Sequence, residues 1–166
     1  MRIAAIAGAA ALALIIGGSS LASTHRQAAS RCRTGALVVW MDTEGNGAAG
    51  SVFYNLRFTN LSRHKCTLFG YPGVSAVDLH GHQLGRAAAR LNAHPRSVTL
   101  RKGATAKATL QIVEALNFPK SRCHPKMAAG LRVFPPNTRA SRVVPFPFLA
   151  CSRSGLGYLN VKPVHR

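Results

Sequence analysis

Ser51-Val52-Phe53-Tyr54-Asn55-Leu56-Arg57-Phe58-Thr59-Asn60 alternates without interruption. Val52, Tyr54, Leu56 and Phe58 fall on one side of an extended chain. Phe53, Asn55, Arg57 and Thr59 fall on the other. Period-two alternation over this length is the pattern of a strand with one buried face. Upstream, Gly35 to Trp40 is a shorter β-rich run. Downstream, Val74 to Leu79 follows the turn Gly70-Tyr71-Pro72-Gly73, and His80-Gly81-His82 reads as the next turn, with a strand from Gln83 onward. Ser97 to Leu100 and Ala104 to Val113 flank Arg101-Lys102-Gly103, a suitable hairpin connection. In the second of these runs Ala106, Ala108, Leu110 and Ile112 point one way, and Thr105, Lys107, Thr109 and Gln111 the other.

Leu131 to Phe134, Arg142 to Phe146 and Tyr158 to Val164 complete the strands. Pro145, Pro147 and Pro163 belong at edges or strand ends, because proline cannot donate to a ladder. Only Gly85 to Leu91 and Val113 to Asn117 have the character of helical turns. Short strands separated by turn signals predict an all-β fold: an antiparallel β-sandwich, immunoglobulin-like in architecture. The length of 166 residues suits one domain, and a 47% hydrophobic fraction supplies a core.

The first residues read as an address. Met1-Arg2 is followed by the uncharged run Ile3 to Ile16, then Gly17-Gly18-Ser19-Ser20, and Ser20-Leu21-Ala22 offers the small residues a signal peptidase reads. The expected organisation is a signal peptide over 1–22, a flexible lead over 23–31 and a single domain over 32–166. Thr24 stands where a lipoprotein would carry cysteine, so a lipid anchor is not expected. The destination is secretion or the cell envelope, with no transmembrane segment after cleavage and a monomeric product.

Four cysteines, Cys32, Cys66, Cys123 and Cys151, in an exported chain suggest two disulfides. Their number alone permits three pairings. Closing neighbours in order gives Cys32–Cys66 and Cys123–Cys151, with loops of about 30 residues, each worth roughly 3.5–4 kcal/mol in the chain-entropy account. The close Cys-x-x-Cys spacing of zinc sites is missing.

The run Cys66-Thr67-Leu68-Phe69-Gly70-Tyr71-Pro72-Gly73-Val74 is distinctive. It is preceded by Gly50-Ser51 and Thr59-Asn60, and followed by Val98-Thr99-Leu100, Gly103, Ala106, Cys123, Leu131-Arg132-Val133-Phe134-Pro135-Pro136 and Cys151. Together these segments resemble the exported actinobacterial family called domain of unknown function 4232, from Cys32 to about Val164. The resemblance implies a small secreted or envelope-attached β-sandwich and brings no assigned activity. Independently of it, Gly70 and Gly73 permit positive φ around Pro72, and Tyr71 is expected to pack on a sheet edge.

Chemistry is constrained mainly by charge. Lys and Arg number 22 against 4 Asp and Glu, a net charge of +18. The carboxylates are Asp42, Glu44, Asp78 and Glu114, too few for two-metal nucleases or most glycosidases. Asp42, Glu44, Asn46 and Gly47 imitate the start of a calcium loop, but Phe53 occupies the position of the bidentate glutamate. Cys123-His124 with Met127 has the wrong spacing for blue copper. No Gly-x-Ser-x-Gly is present, and Asn60-Leu61-Ser62 is discounted as a glycosylation site. His80 and His82, with His64 as a third ligand, form the metal alternative for copper or zinc. The expected reading is non-enzymatic, with no cofactor. Arg86, Arg90, Arg96, Arg101 and Lys102 crowd the central segment with Lys107, and Arg132, Arg139, Arg142 and Arg153 follow. Such a surface attracts polyanions, either an anionic cell-wall polymer or lipid headgroups. Export and the lack of an aromatic-rich basic motif argue against nucleic acid as the physiological partner.

Overall fold

The computed structural model describes residues 29–166. The signal peptide over 1–22, its cleavage after Ala22 and the lead as far as residue 28 lie outside the described residues. Thirteen strands follow: β1 (Ser30–Arg31), β2 (Leu37–Met41), β3 (Asn46–Ala48), β4 (Ser51–Asn60), β5 (Cys66–Phe69), β6 (Gly73–Val77), β7 (Gln83–Leu84), β8 (Ala89–Arg90), β9 (Ser97–Leu100), β10 (Thr105–Val113), β11 (Pro125–Phe134), β12 (Arg142–Cys151) and β13 (Leu159–Val161). The fold is all-β, built of sheets packed together. A six-stranded sheet runs β2-β4-β10-β13-β8, with β3 also on β4. A four-stranded sheet runs β12-β11-β6-β7, and a three-stranded one β1-β5-β9. Pairing is antiparallel except between β1 and β5 and between β8 and β13.

The long alternating strand is the centre of this arrangement. Leu56 and Phe58 of β4 are fully buried, as are Ala106, Ala108 and Leu110 of its partner β10. Opposite them stand Val74 and Ala76 of β6, Leu131 and Val133 of β11, and Leu68 and Leu100 of the smallest sheet, in one contiguous core. Burying a side chain of this size contributes about 1.5–3 kcal/mol. Between β3 and β4 the chain reverses at Ala49 and Gly50, whose φ values of 45° and 73° are those of a type I′ hairpin turn.

Two disulfides close the ends of the fold. Cys32–Cys66 joins the chain just after β1 to β5, and Cys123–Cys151 joins the short helix α1 (Lys120–Cys123) to the end of β12. Gly70, between β5 and β6, has φ 97°, as the turn reading required. Gly73 does not: it begins β6 in ordinary extended backbone, with Phe134 as its partner. The Tyr71 hydroxyl donates to the carbonyls of Leu91 (2.8 Å) and Ala93 (2.9 Å), so the ring pins the segment after β8.

Several local expectations are corrected. Arg101-Lys102-Gly103 turns the chain but makes no hairpin: β9 pairs with β5 while β10 pairs with β4, so the turn carries the chain between sheets. β11 and β12 each run ten residues instead of four or five. Met127-Ala128-Ala129-Gly130 lacks alternation because a register shift between Ala128 and Gly130 interrupts the ladder. Pro145 and Pro147 sit on β12, an edge strand, as expected. Gly85 to Leu91 forms no helix. The Ala88 amide donates to the Val74 carbonyl (2.8 Å) and β8 pairs with β13, tertiary bonds that override a modest alanine preference. Ser30 and Arg31, placed by the sequence in the lead, pair with Cys66 and Thr67.

Candidate functional site

Burying one face of β4 and β10 turns the alternate residues of the six-stranded sheet outward. Register then sets them in rows. Trp40 is opposite Arg57, Arg57 opposite Lys107, and Lys107 opposite His165 in the segment that continues β13. The next row holds Asn55 and Thr109, with Lys162 alongside, its amide donating to the Thr109 carbonyl (2.9 Å). A third pairs Thr59 with Thr105, their hydroxyls 2.8 Å apart. Cross-strand hydrogen bonds, Trp40 Nε1 to Thr59 Oγ1 (3.2 Å) and Asn160 Nδ2 to Gln111 Oε1 (3.1 Å), hold this polar face in one arrangement.

The two edges of the face differ in charge. On the β13 side, along the segment that follows that strand, an open groove of ≈ 530 Å³ is lined by Val98, Thr109 and Val164, with Arg96, Lys162 and Arg166 and with His94 and His165. A second groove beside it is lined by Arg101 and shares Arg166. No Asp or Glu side chain lines either. The ion pairs among the described residues are Arg57–Asp42, Lys126–Asp78 and the longer His82–Asp78 pair, so none of these groove cations has an acidic partner there. Such a groove is equipped for phosphate or carboxylate oxygens, each taken by a charge-assisted hydrogen bond. At the β2 edge Asp42 accepts two bonds from the Arg57 guanidinium (2.5 and 2.8 Å) and one from Asn55 Nδ2 (3.2 Å). The Arg57 hydrogen bond holds the Asp42 carboxyl below its usual range, against the opposing effect of burial.

The five basic residues picked out from the sequence do not form one patch. Arg96 and Arg101 reach the two neighbouring grooves. Arg86 and Lys102 line neither, and Arg90 stacks over the Tyr71 ring, 5.6 Å from its centroid. Lys162, His165 and Arg166 were not anticipated. Tyr158 to Val164 reads as a strand, but only the pairing with β10 sets the chain after it beside Lys107 and Thr109.

The histidines separate as well. His80 and His82 are 6.0 Å apart, ring centre to ring centre. Asp78, buried beneath them, accepts their backbone amides (3.0 and 2.9 Å) and the Lys126 ammonium (3.0 Å). Lys126 first, and then those amides, drive its carboxyl well below the usual range despite burial. Asp78 therefore builds the turn. Among the described residues no three His, Cys, Asp or Glu side chains gather to hold a metal, so His64 does not join the pair. Asn60 is buried, donating to the carbonyls of His64 (2.9 Å) and Leu100 (3.1 Å), which closes it to glycosylation.

A doubly stapled all-β domain with an open polar sheet face is the class defined by these features. The chain belongs to the family described as Domain of unknown function (DUF4232), whose model matches residues 32–165. That span opens on the first disulfide cysteine and ends on His165, inside the basic groove. No curated protein and no solved structure matches the sequence.

Proposed function

We propose that the protein is an exported, non-enzymatic binder of a phosphate-rich anionic polymer of the cell envelope, held in the groove of Arg96, Lys162 and Arg166. The single observation carrying this reading is that groove: cationic side chains converge there from β9's approach and the segment after β13, with no Asp or Glu in its lining. Export is supported by the leader pattern and by two disulfides, which persist in oxidising compartments. No helix among the described residues is long and apolar enough to cross a membrane. A concave groove suits a flexible chain of phosphates better than the flat surface of a bilayer. The family assignment supplies no activity, and the placement of Asp42 and Asp78 in structural ion pairs favours binding over catalysis.

Retention on immobilised polyphosphate tests the reading. The triple variant Arg96→Gln/Lys162→Gln/Arg166→Gln is expected to bind at least tenfold more weakly at low salt. Its slope of log affinity against log salt should be shallower by about 0.7–0.9 for each phosphate that it no longer neutralises. The control Arg86→Gln/Arg90→Gln/Lys102→Gln removes as many charges outside the groove and should retain most of the binding. Equal losses in the two variants would mean diffuse attraction without a site. Binding confined to phosphatidylglycerol vesicles would transfer the role to lipid headgroups.

A further inference from the structure

The β2 edge of the same face has a different chemistry. Trp40 is the sole tryptophan of the chain and is 40% exposed on the outside of the sheet. Its indole N–H is already bonded to Thr59, and the Arg57 guanidinium lies over the ring at 5.2 Å from its centroid. Asp42 in turn fixes Arg57. The ring is thus a flat apolar platform held in place before any ligand arrives. Beside it opens a cleft of ≈ 600 Å³ lined by Asp42, Glu44, Asn46, Asn55 and Arg57, within the roughly 300–1,000 Å³ common for small-molecule sites.

Two of the chain's four carboxylates lie in this cleft, against one guanidinium. In a chain of net charge +18 that is a local reversal, and it disfavours a polyanion. So polar a lining does not enclose an apolar ligand either. What it offers is an aromatic surface next to planar amide, carboxylate and guanidinium groups, each able to take paired hydroxyls. A pyranose has the matching faces: axial C–H groups to lie on the indole and equatorial hydroxyls to reach Asn55, Asn46 and Glu44. We propose that the Trp40 cleft is a saccharide subsite that binds an uncharged hexopyranose unit of a polysaccharide. The inference stands apart from the polyanion groove, since it uses other residues and other forces.

Because Trp40 is the only tryptophan, its emission reads this site alone. Titration of the protein with cellohexaose, maltohexaose and chitohexaose should give, for at least one of them, a saturable shift or quench of emission. The shift should persist between 0.1 and about 1 M salt, where screening shrinks electrostatic reach to roughly 3 Å. By calorimetry, Trp40→Ala should lose that binding, Asn55→Ala should weaken it severalfold, and Trp40→Phe should keep part of it. The groove variant Arg96→Gln/Lys162→Gln/Arg166→Gln should bind the sugar as the parent does, which separates failure of this inference from failure of the polyanion reading. No response to any of the three sugars at millimolar concentration would overturn the proposal. So would a response that polyphosphate reproduces and salt removes, or unchanged binding in Trp40→Ala.

Discussion

The two edges of the outer sheet face are built from the same strands and differ in what they can hold. At the β2 edge, cation, anion and aromatic ring are locked to one another: Asp42 to Arg57, and Arg57 to Trp40. On the β13 side, Arg96, Lys162 and Arg166 surround a groove lined by no Asp or Glu. Only two strands, β4 and β10, lie between, so with strands about 4.8 Å apart the edges are separated by about 14 Å. The contrast shows that a net charge of +18 does not describe the surface. What matters is where four acids are placed, because each one removes the attraction for polyanions from its own neighbourhood.

The most severe way to break the comparison is from behind. Phe58 lies on the buried face of β4, between the row of Trp40, Arg57 and Lys107 and the row of Thr59 and Thr105. Phe58→Ala should cost about 3–5 kcal/mol of stability, measured by denaturant unfolding, and should impair both edges together. Loss at one edge alone would mean that the sheet does not hold them as a unit.

Acid titration sharpens the difference between an ion pair at the rim and one in a turn. Asp42 and Asp78 both have depressed carboxyls in the folded protein. Their stabilisation is therefore complete above the unfolded carboxyl pKa of about 3.9 and is lost as pH falls through the folded values. Thermal melts should thus weaken below about pH 4. Asp78→Asn should flatten that acid-side decline more than Asp42→Asn, because Asp78 is buried and bonded to Lys126 and two amides. The Asp42–Arg57 pair is partly solvated and contributes at most about 1 kcal/mol. An equal flattening would remove the distinction between the two carboxylates.

The smallest expected effect converts one edge toward the other. Glu44 lines the Trp40 cleft and has no ion pair among the described residues. Glu44→Lys should leave stability within about 0.5 kcal/mol and make the Trp40 emission respond to polyphosphate at low salt, a response expected to be absent in the parent. No gain of response would show that local charge is not what separates the two edges.

Much of the fold was legible because burial imposes a period. The alternation appears residue by residue along β10 and from Leu56 to Asn60 in β4, and the four cysteines join in the order that closes neighbouring loops. What escaped were features decided by distant partners. Nothing in Arg101-Lys102-Gly103 says that its flanking strands belong to different sheets. Nothing in Met127-Ala128-Ala129-Gly130 announces a strand whose ladder shifts in mid-course. Of the candidate groove, the basic character was legible and the place was not. A scarcity of acids pointed to anion binding, and Arg96 and Arg101 were among the residues chosen. Yet for Arg86, Arg90 and Lys102 closeness in sequence is not closeness in space. Lys162 and Arg166 reach the groove only because the segment after β13 runs along β10. Trp40 was read as part of a strand, and its role as a platform depends on Arg57, 17 residues on in sequence and directly opposite in register.

Amide chemical shifts would locate bound polyphosphate on the protein without changing any residue. Perturbations should concentrate at Arg96 to Val98, Thr109 and Lys162 to Arg166, with Trp40 and Asn55 at the opposite edge unmoved. Perturbations spread evenly over the arginines, or centred on Arg86 and Arg90 or on Arg132 to Arg153, would contradict binding in the groove.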